Sequence, residues 1–321
     1  MGYIELKTGQ VALRPSAPPP NWQTMTMPTK RANDIVFGNG KFMIVGSTTN
    51  PEQTTFTYST DGANWATTQI TGVYDRIGAG GGKFVALGSG TTGVCSTDGV
   101  SWETMTMPFS GSWANITYGN GRFLAMASSE KKDSGEYADT DKCAYSLDGI
   151  HWEVSVLPLT GTWGYASYGN NTFIAMRDNS TVIAHSPDAI TWDYSFVFKN
   201  SINTCSIFGG DRFIALTNNI NTWSSDRGIY SFDGKSWAEL QLPSDLDWES
   251  AAYGNGRFLA FASNEGTPVG ALSTNGTSWK PMTLPSLPQV SSIHAAYGNE
   301  RFVVVMNYKD TAFYWDLSSK N

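Results

Sequence analysis

The chain has 321 residues, 15% of them charged and 13% aromatic, with a net charge of −7. Such an aromatic-rich, charge-poor composition excludes a disordered tail and a coiled coil. The acidic balance argues against a nucleic-acid partner, which needs a basic face.

Residues 1–20 come first. They lack the basic start and apolar run of a secretory signal, so no signal peptide is expected. Leu6 stands where a myristoylation site needs Ser or Thr. No stretch of the chain approaches the roughly 18 apolar residues of a membrane helix, so no membrane insertion is expected. Tyr3 to Lys7 can form a short strand. Pro15 and Pro18-Pro-Pro20 make a stiff, extended linker. The segment reads either as a disordered leader or as a docking arm for a partner's sheet or groove.

From residue 21 onward the chain is repetitive. Phe37-Gly-Asn-Gly-Lys-Phe42 recurs as Tyr118-Gly-Asn-Gly-Arg-Phe123 and Tyr253-Gly-Asn-Gly-Arg-Phe258, with weaker copies ending at Phe84, Phe173, Phe213 and Phe302. Ser59-Thr-Asp-Gly-Ala-Asn-Trp65 recurs with copies ending at Trp102, Trp152, Trp192, Trp237 and Trp279. From Trp22 to Trp279 the period is roughly 43 residues, within the range of propeller blades. Each unit reads as four short strands, A to D. Gly-Asn-Gly turns the A–B hairpin and Asp-Gly turns the C–D hairpin. Asp188-Ala189 breaks the second pattern, and a different turn is expected there. The last unit stops after strand C, near Leu317. Asn21-Trp22-Gln-Thr-Met-Thr-Met-Pro28 matches the strand D sequence Ser101-Trp102-Glu-Thr-Met-Thr-Met-Pro108, so the first strand is expected to complete the last blade. The predicted fold is all-β: a seven-bladed propeller of four-stranded antiparallel blades over residues 21–321, closed by its N-terminal strand.

In such a ring the A–B and C–D turns share one end, which is uniform. The B–C and D–A loops share the other, which varies in length. Variable loops on a rigid scaffold are where binding usually resides. Ten residues before each strand-B Phe stand Ala32, Tyr74, Trp113, Trp163, Asn203, Trp248 and Ser292. Large aromatics at one shared position, read as facing the channel rim, suit sugar rings that stack on Trp. The predicted site is therefore Tyr74, Trp113, Trp163 and Trp248, with Trp223 from a B–C loop and Arg76, Asn115 and Asn203 as polar partners. Tyr137 and Tyr308 lie at the same end. The strand-D Trp residues are expected to pack between blades.

The Ser-x-Asp-Gly-x-x-Trp phrase resembles the Asp box of sialidase-like propellers, one residue shorter before Gly. Paired with Tyr-Gly-Asn-Gly-Arg-Phe, it is similar to repeats of bacteriophage tail-fibre and virion-associated proteins. The resemblance spans Trp22 to Trp315. It implies a structural role for Asp61, Asp98, Asp148, Asp188 and Asp233, and a virion location.

Catalysis is not expected. Arg122, Arg212, Arg257 and Arg301 flank the Gly-Asn-Gly turns, the wrong end for a sialidase-like arginine cluster. Asp34, Asp75, Asp247 and Glu249 can face the channel mouth, yet spacing alone does not pair them as glycosidase carboxylates. His294 is expected near the mouth as a hydrogen-bonded core residue. Glu130 to Lys142 reads as a solvated mixed-charge loop rather than a calcium site. No metal and no cofactor is expected. Cys95, Cys143 and Cys205 form neither a CxxC pair nor a disulfide framework and are expected to be half-buried thiols. The resulting expectation is a non-enzymatic binding propeller of a phage virion that recognises a bacterial surface glycan. The alternatives are a structural virion part docked to other virion proteins through residues 1–20, and a sialidase-like glycosidase.

Overall fold

The computed structural model describes residues 3–5, 11–13, 20–49, 52–178, 180–219, 225–286 and 289–318. Every helix or strand element among the described residues is a strand. The repeated turns explain why. Asn39, Asn120 and Asn255 take φ of 49°, 47° and 46°, and the glycines after them 71°, 74° and 69°. Two successive positive φ angles give the hairpin turn whose twist matches its strands.

The second turn is held by side chains. Ser96 Oγ accepts from Gly99 N at 2.8 Å and donates to Asp98 Oδ1 at 3.0 Å. Asp98 Oδ1 also accepts from Val100 N and Ser101 N at 2.7 and 2.8 Å. The backbone N–H groups of Ser101 and Val100 hold the Asp98 carboxyl well below the usual carboxylate range. The expectation of a different turn at Asp188 is corrected by the structure. Ala189 takes φ of 57°, and Asp188 Oδ1 accepts from Ile190 N and Thr191 N at 3.0 and 2.8 Å. The carboxylate imposes the turn, and alanine bears a left-handed strain of about 1–2 kcal/mol. Ala189→Gly is therefore expected to raise stability by about 0.5–1 kcal/mol, net of the greater freedom of glycine in the unfolded chain. A urea midpoint that fails to rise would show the turn to be unstrained.

Strands pair with their chain neighbours. The described strands form five sheets, of two, eight, ten, four and four strands. Tyr3–Glu5 pairs with Val11–Leu13 as the two-stranded sheet. Asp34–Gly38, Lys41–Thr49, Glu52–Ser59 and Ala66–Thr71 form one four-stranded meander. Ile293–Gly298, Arg301–Met306 and Thr311–Asp316 form another, completed by Trp22–Thr26 with Trp22 opposite Trp315. Between them, Glu103–Gly119, Asp193–Gly209 and Ala238–Gly254 are each 17 residues long. Each runs from the outer edge of one meander into the first position of the next. That continuity merges meanders into the two large sheets.

The first strands of successive meanders lie side by side. Asp34–Gly38 contacts Arg76–Gly80, which contacts Glu103–Gly119. The series continues through Trp163–Gly169, Asp193–Gly209, Ala238–Gly254 and Ile293–Gly298, and the last returns to Asp34–Gly38. The circuit encloses a central channel. Close approach needs glycine: a Cβ on Gly119 would lie 2.0 Å from the Tyr168 ring.

The described core falls into clusters that span neighbouring meanders, with one of Trp22, Trp65, Trp102, Trp152, Trp192, Trp237 and Trp279 in each. Basic side chains just after the first hairpin turns tie the same neighbours together. Lys41, Lys83 and Arg122 donate to the main-chain oxygens of Asp98, Asp148 and Asp188 at 2.7, 2.6 and 2.6 Å, and Arg301 donates to that of Asp61. Cys95 and Cys143 are fully buried rather than half-buried, and only Cys205 is intermediate.

Candidate functional site

Most of the first strands carry an irregularity at their entry. The register shifts between Trp113 and Asn115, Trp163 and Tyr165, Asn203 and Cys205, and Trp248 and Ser250. Likewise Asp75 N bonds Leu87 O while Arg76 is the register partner of Leu87, so two residues oppose one. A bulge of this kind turns the residues before and after it to different faces.

The aromatics before the bulge therefore point away from the channel. Trp163 and Trp248 are 0% exposed, Trp113 3% and Tyr74 5%. Their indole N–H groups are taken by nearby carbonyls: Trp113 by Gly90 O at 3.0 Å, Trp163 by Leu159 O at 3.0 Å and Trp248 by Ser244 O at 3.1 Å. Each ring packs in a core cluster between meanders. The expected stacking platform has no open ring face at these four residues. Trp223 lies outside the described residues, and of Asn203 only the backbone is described. The exposed rings at this end are Tyr137 and Tyr308, 46% and 56% exposed, and Tyr308 lies against the Arg31 guanidinium at 4.7 Å.

The residues just after the bulges face the channel instead. A cavity of about 250 Å³ opens there, lined by Asp34, Arg76, Asn115, Tyr165, Asp178 and Glu249, with His294 and short neighbours. Two sequence-predicted partners, Arg76 and Asn115, are among them, as are Asp34 and Glu249. The volume is a little below the roughly 300–1,000 Å³ of drug-sized sites and suits a ligand the size of one sugar residue.

Several of these side chains latch one first strand to the next. Asp34 Oδ2 accepts from Ile77 N at 3.1 Å, Asn115 Oδ1 from Ala166 N at 3.2 Å, and Ser250 Oγ from Ala295 N at 3.1 Å. Glu249 Oε2 accepts from Ile293 N at 3.3 Å. Arg76 donates through Nε to Ala114 O at 2.8 Å and through Nη1 to Asp75 O at 3.0 Å. These bonds satisfy backbone groups that no sheet partner reaches.

Other groups stay unsatisfied. The Asp178 carboxylate, the His294 ring and the Tyr165 hydroxyl have no hydrogen-bond partner among the described residues, and Asp178 Oδ1 is closed off from solvent. His294 is thus not the hydrogen-bonded core residue expected of it. Burial pushes Asp34 and Asp178 up to about 6 and Glu249 up to about 7, the Arg76 charge restraining Asp34. Burial, then the Arg76 charge, pushes His294 down to about 4. Burial lifts Tyr165 to about 12. Displaced carboxyl and imidazole groups converging in one cleft make this the candidate functional site.

A larger hollow, about 310 Å³, lies at the uniform end between Arg122, Asp148, His151 and Glu153. Most of its polar groups are engaged, Arg122 Nη1 on Asp188 O, His151 on Asp148 and Glu153 on Tyr145, while Arg122 Nε is buried without a partner. In the loop Glu130–Lys142, Glu130 is braced by Lys142 at 2.6 Å and Lys132 at 2.9 Å. No group of three His, Cys, Asp or Glu residues fit to hold a metal occurs among the described residues.

No family model and no curated protein matches the chain. Solved structures do. The streptogramin B lyase structure superposes with a TM-score of 0.70 at 9% identity, covering 91% of this chain and 96% of that one. The β-propeller domain of Cps50 (Swd1) from Myceliophteria thermophila gives 0.62 at 10% identity, over 92% and 100%. Hydrazine synthase from Kuenenia stuttgartiensis gives 0.63 at 7% identity, over 92% and 98%. At these identities the likeness speaks for the fold alone: the chain is a β-propeller.

Proposed function

We propose that the chain is a non-enzymatic binding propeller of seven four-stranded blades that takes a bacterial surface glycan at its channel mouth, as part of a bacteriophage tail or virion. Seven first strands in circuit support the blade count. The likeness of the paired repeat phrases to virion-associated repeats supports the location. One observation carries the binding reading. A sugar-sized cavity holds unsatisfied donors and acceptors on Asp178, Tyr165 and His294, the last two carried by first strands and Asp178 by the end of Thr172–Arg177. A sugar's hydroxyls supply the missing partners at once.

A glycan array with the intact chain should give reproducible hits. Tyr165→Phe combined with His294→Ala should weaken them about tenfold, the loss of one or two hydrogen bonds. Undiminished binding by the folded double variant would remove the site from the channel.

A second reading, an acid–base glycosidase, is favoured by Glu249, whose carboxyl near 7 suits proton transfer at neutral pH. Turnover of a fluorogenic glycoside that is lost in Glu249→Gln would replace binding with catalysis.

A further inference from the structure

The charge around the channel mouth narrows the ligand further, and this step rests on the binding reading above. Three carboxylates line the cavity, Asp34, Asp178 and Glu249, against one guanidinium, Arg76. Arg76 is engaged: Nε and Nη1 donate to main-chain oxygens and its charge acts on Asp34. The charges beyond the lining add to the imbalance. Asp75 acts on Asp34, and Asp247 acts on Glu249 and Tyr165. Cys205 and Tyr165 are held neutral, and so is His294 at neutral pH.

Asp178 and Glu249 therefore face the cavity with no cation of the protein opposite them among the described residues. The half-buried His294 ring, itself without a partner, lines the same space and offers one donor and one acceptor. A buried carboxylate is costly unless an opposite charge or several donors meet it. An anionic ligand would add repulsion, and a neutral one would leave the charge uncompensated. An ammonium group brings three N–H donors and a positive charge.

We propose that the channel mouth selects an amine-bearing sugar, with its protonated primary amine set between Asp178 and Glu249 and its hydroxyls on Tyr165, Asn115 and His294. An ammonium group there favours the ionised carboxylates. Binding should then release protons below neutral pH, and affinity should fall as Glu249 and Asp178 become protonated.

The test is calorimetry on the intact chain with glucosamine, N-acetylglucosamine and glucuronate. Two buffers of different ionisation enthalpy report proton release. Glucosamine should bind about tenfold or more tighter than N-acetylglucosamine, whose amine is capped. It should release protons near pH 6. Asp178→Asn and Glu249→Gln should each erode the preference, and glucuronate should bind least. Equal affinity for the amine and its acetylated form, or a preference for glucuronate, would overturn the amine inference and leave the sugar site standing. Array hits on neutral glycans with no response to glucosamine would do the same. No binding of any sugar by either method would sink both.

Discussion

Trp163→Ala should destabilise the protein by about 3–5 kcal/mol, read as a lower urea midpoint. The ring is 0% exposed and packs with Leu124, Met126 and Cys143 of one meander and Phe173 and Val182 of the next. Its removal opens a cavity where two meanders meet and leaves Leu159 O without its indole donor. A milder truncation separates packing from binding. Trp163→Phe keeps most of the volume, so affinity for an array-identified glycan should be unchanged while stability still falls. Loss of affinity in stable Trp163→Phe would return the site to the aromatic platform.

Asp178→Asn should act in the opposite direction and raise stability near pH 8 by about 1–2 kcal/mol. Its folded-state carboxyl is pushed up by burial to about 6, from an ordinary value of 3.8. A raised carboxyl binds protons more tightly in the folded chain, so ionisation costs stability. The cost is fully present above the folded-state value and absent below the unfolded one. The gain from asparagine should therefore be complete near pH 8 and gone by about pH 4. Partial solvent access scales down the full linkage value. His294 titrates with the opposite sign in the same channel, but it is common to both proteins and drops out of the comparison. Thermal melts of the pair across this pH range check the expectation. A variant less stable at pH 8 would mean that a partner already compensates the carboxylate. A stabilising change at a binding residue is the usual trade of stability for function.

Much of the fold was legible because the turns demand particular residues. Gly-Asn-Gly and Asp-Gly mark positions of positive φ, and each Trp that closes the second phrase falls in a core cluster between meanders. The match between Trp22–Pro28 and Trp102–Pro108 placed the first strand on Thr311–Asp316. Ala189 was misread because its turn is imposed by Asp188, two hydrogen bonds outweighing alanine's reluctance.

The candidate site was half legible. The shared aromatic position was real, but its place at the entry to the inner strand was read as facing the channel rim, the wrong face. One extra residue at Ala114, Gly164 or Glu249 reverses what Trp113, Trp163 and Trp248 face. No local residue announces such a bulge. Shifting the alignment by two residues would have shown the signal. Eight before each strand-B Phe stand Asp34, Arg76, Asn115, Tyr165, Cys205, Ser250 and His294, a polar or titratable group in every unit. Asp178 was out of reach, since only the fold brings the end of Thr172–Arg177 beside Gly164.

The most direct test is a crystal structure of the chain with its array-identified glycan. Density for a sugar residue at the channel mouth, in contact with Asp178, Glu249 and His294, is the expected result. A glycan bound elsewhere on the loop face, with the channel holding only water, would contradict the account.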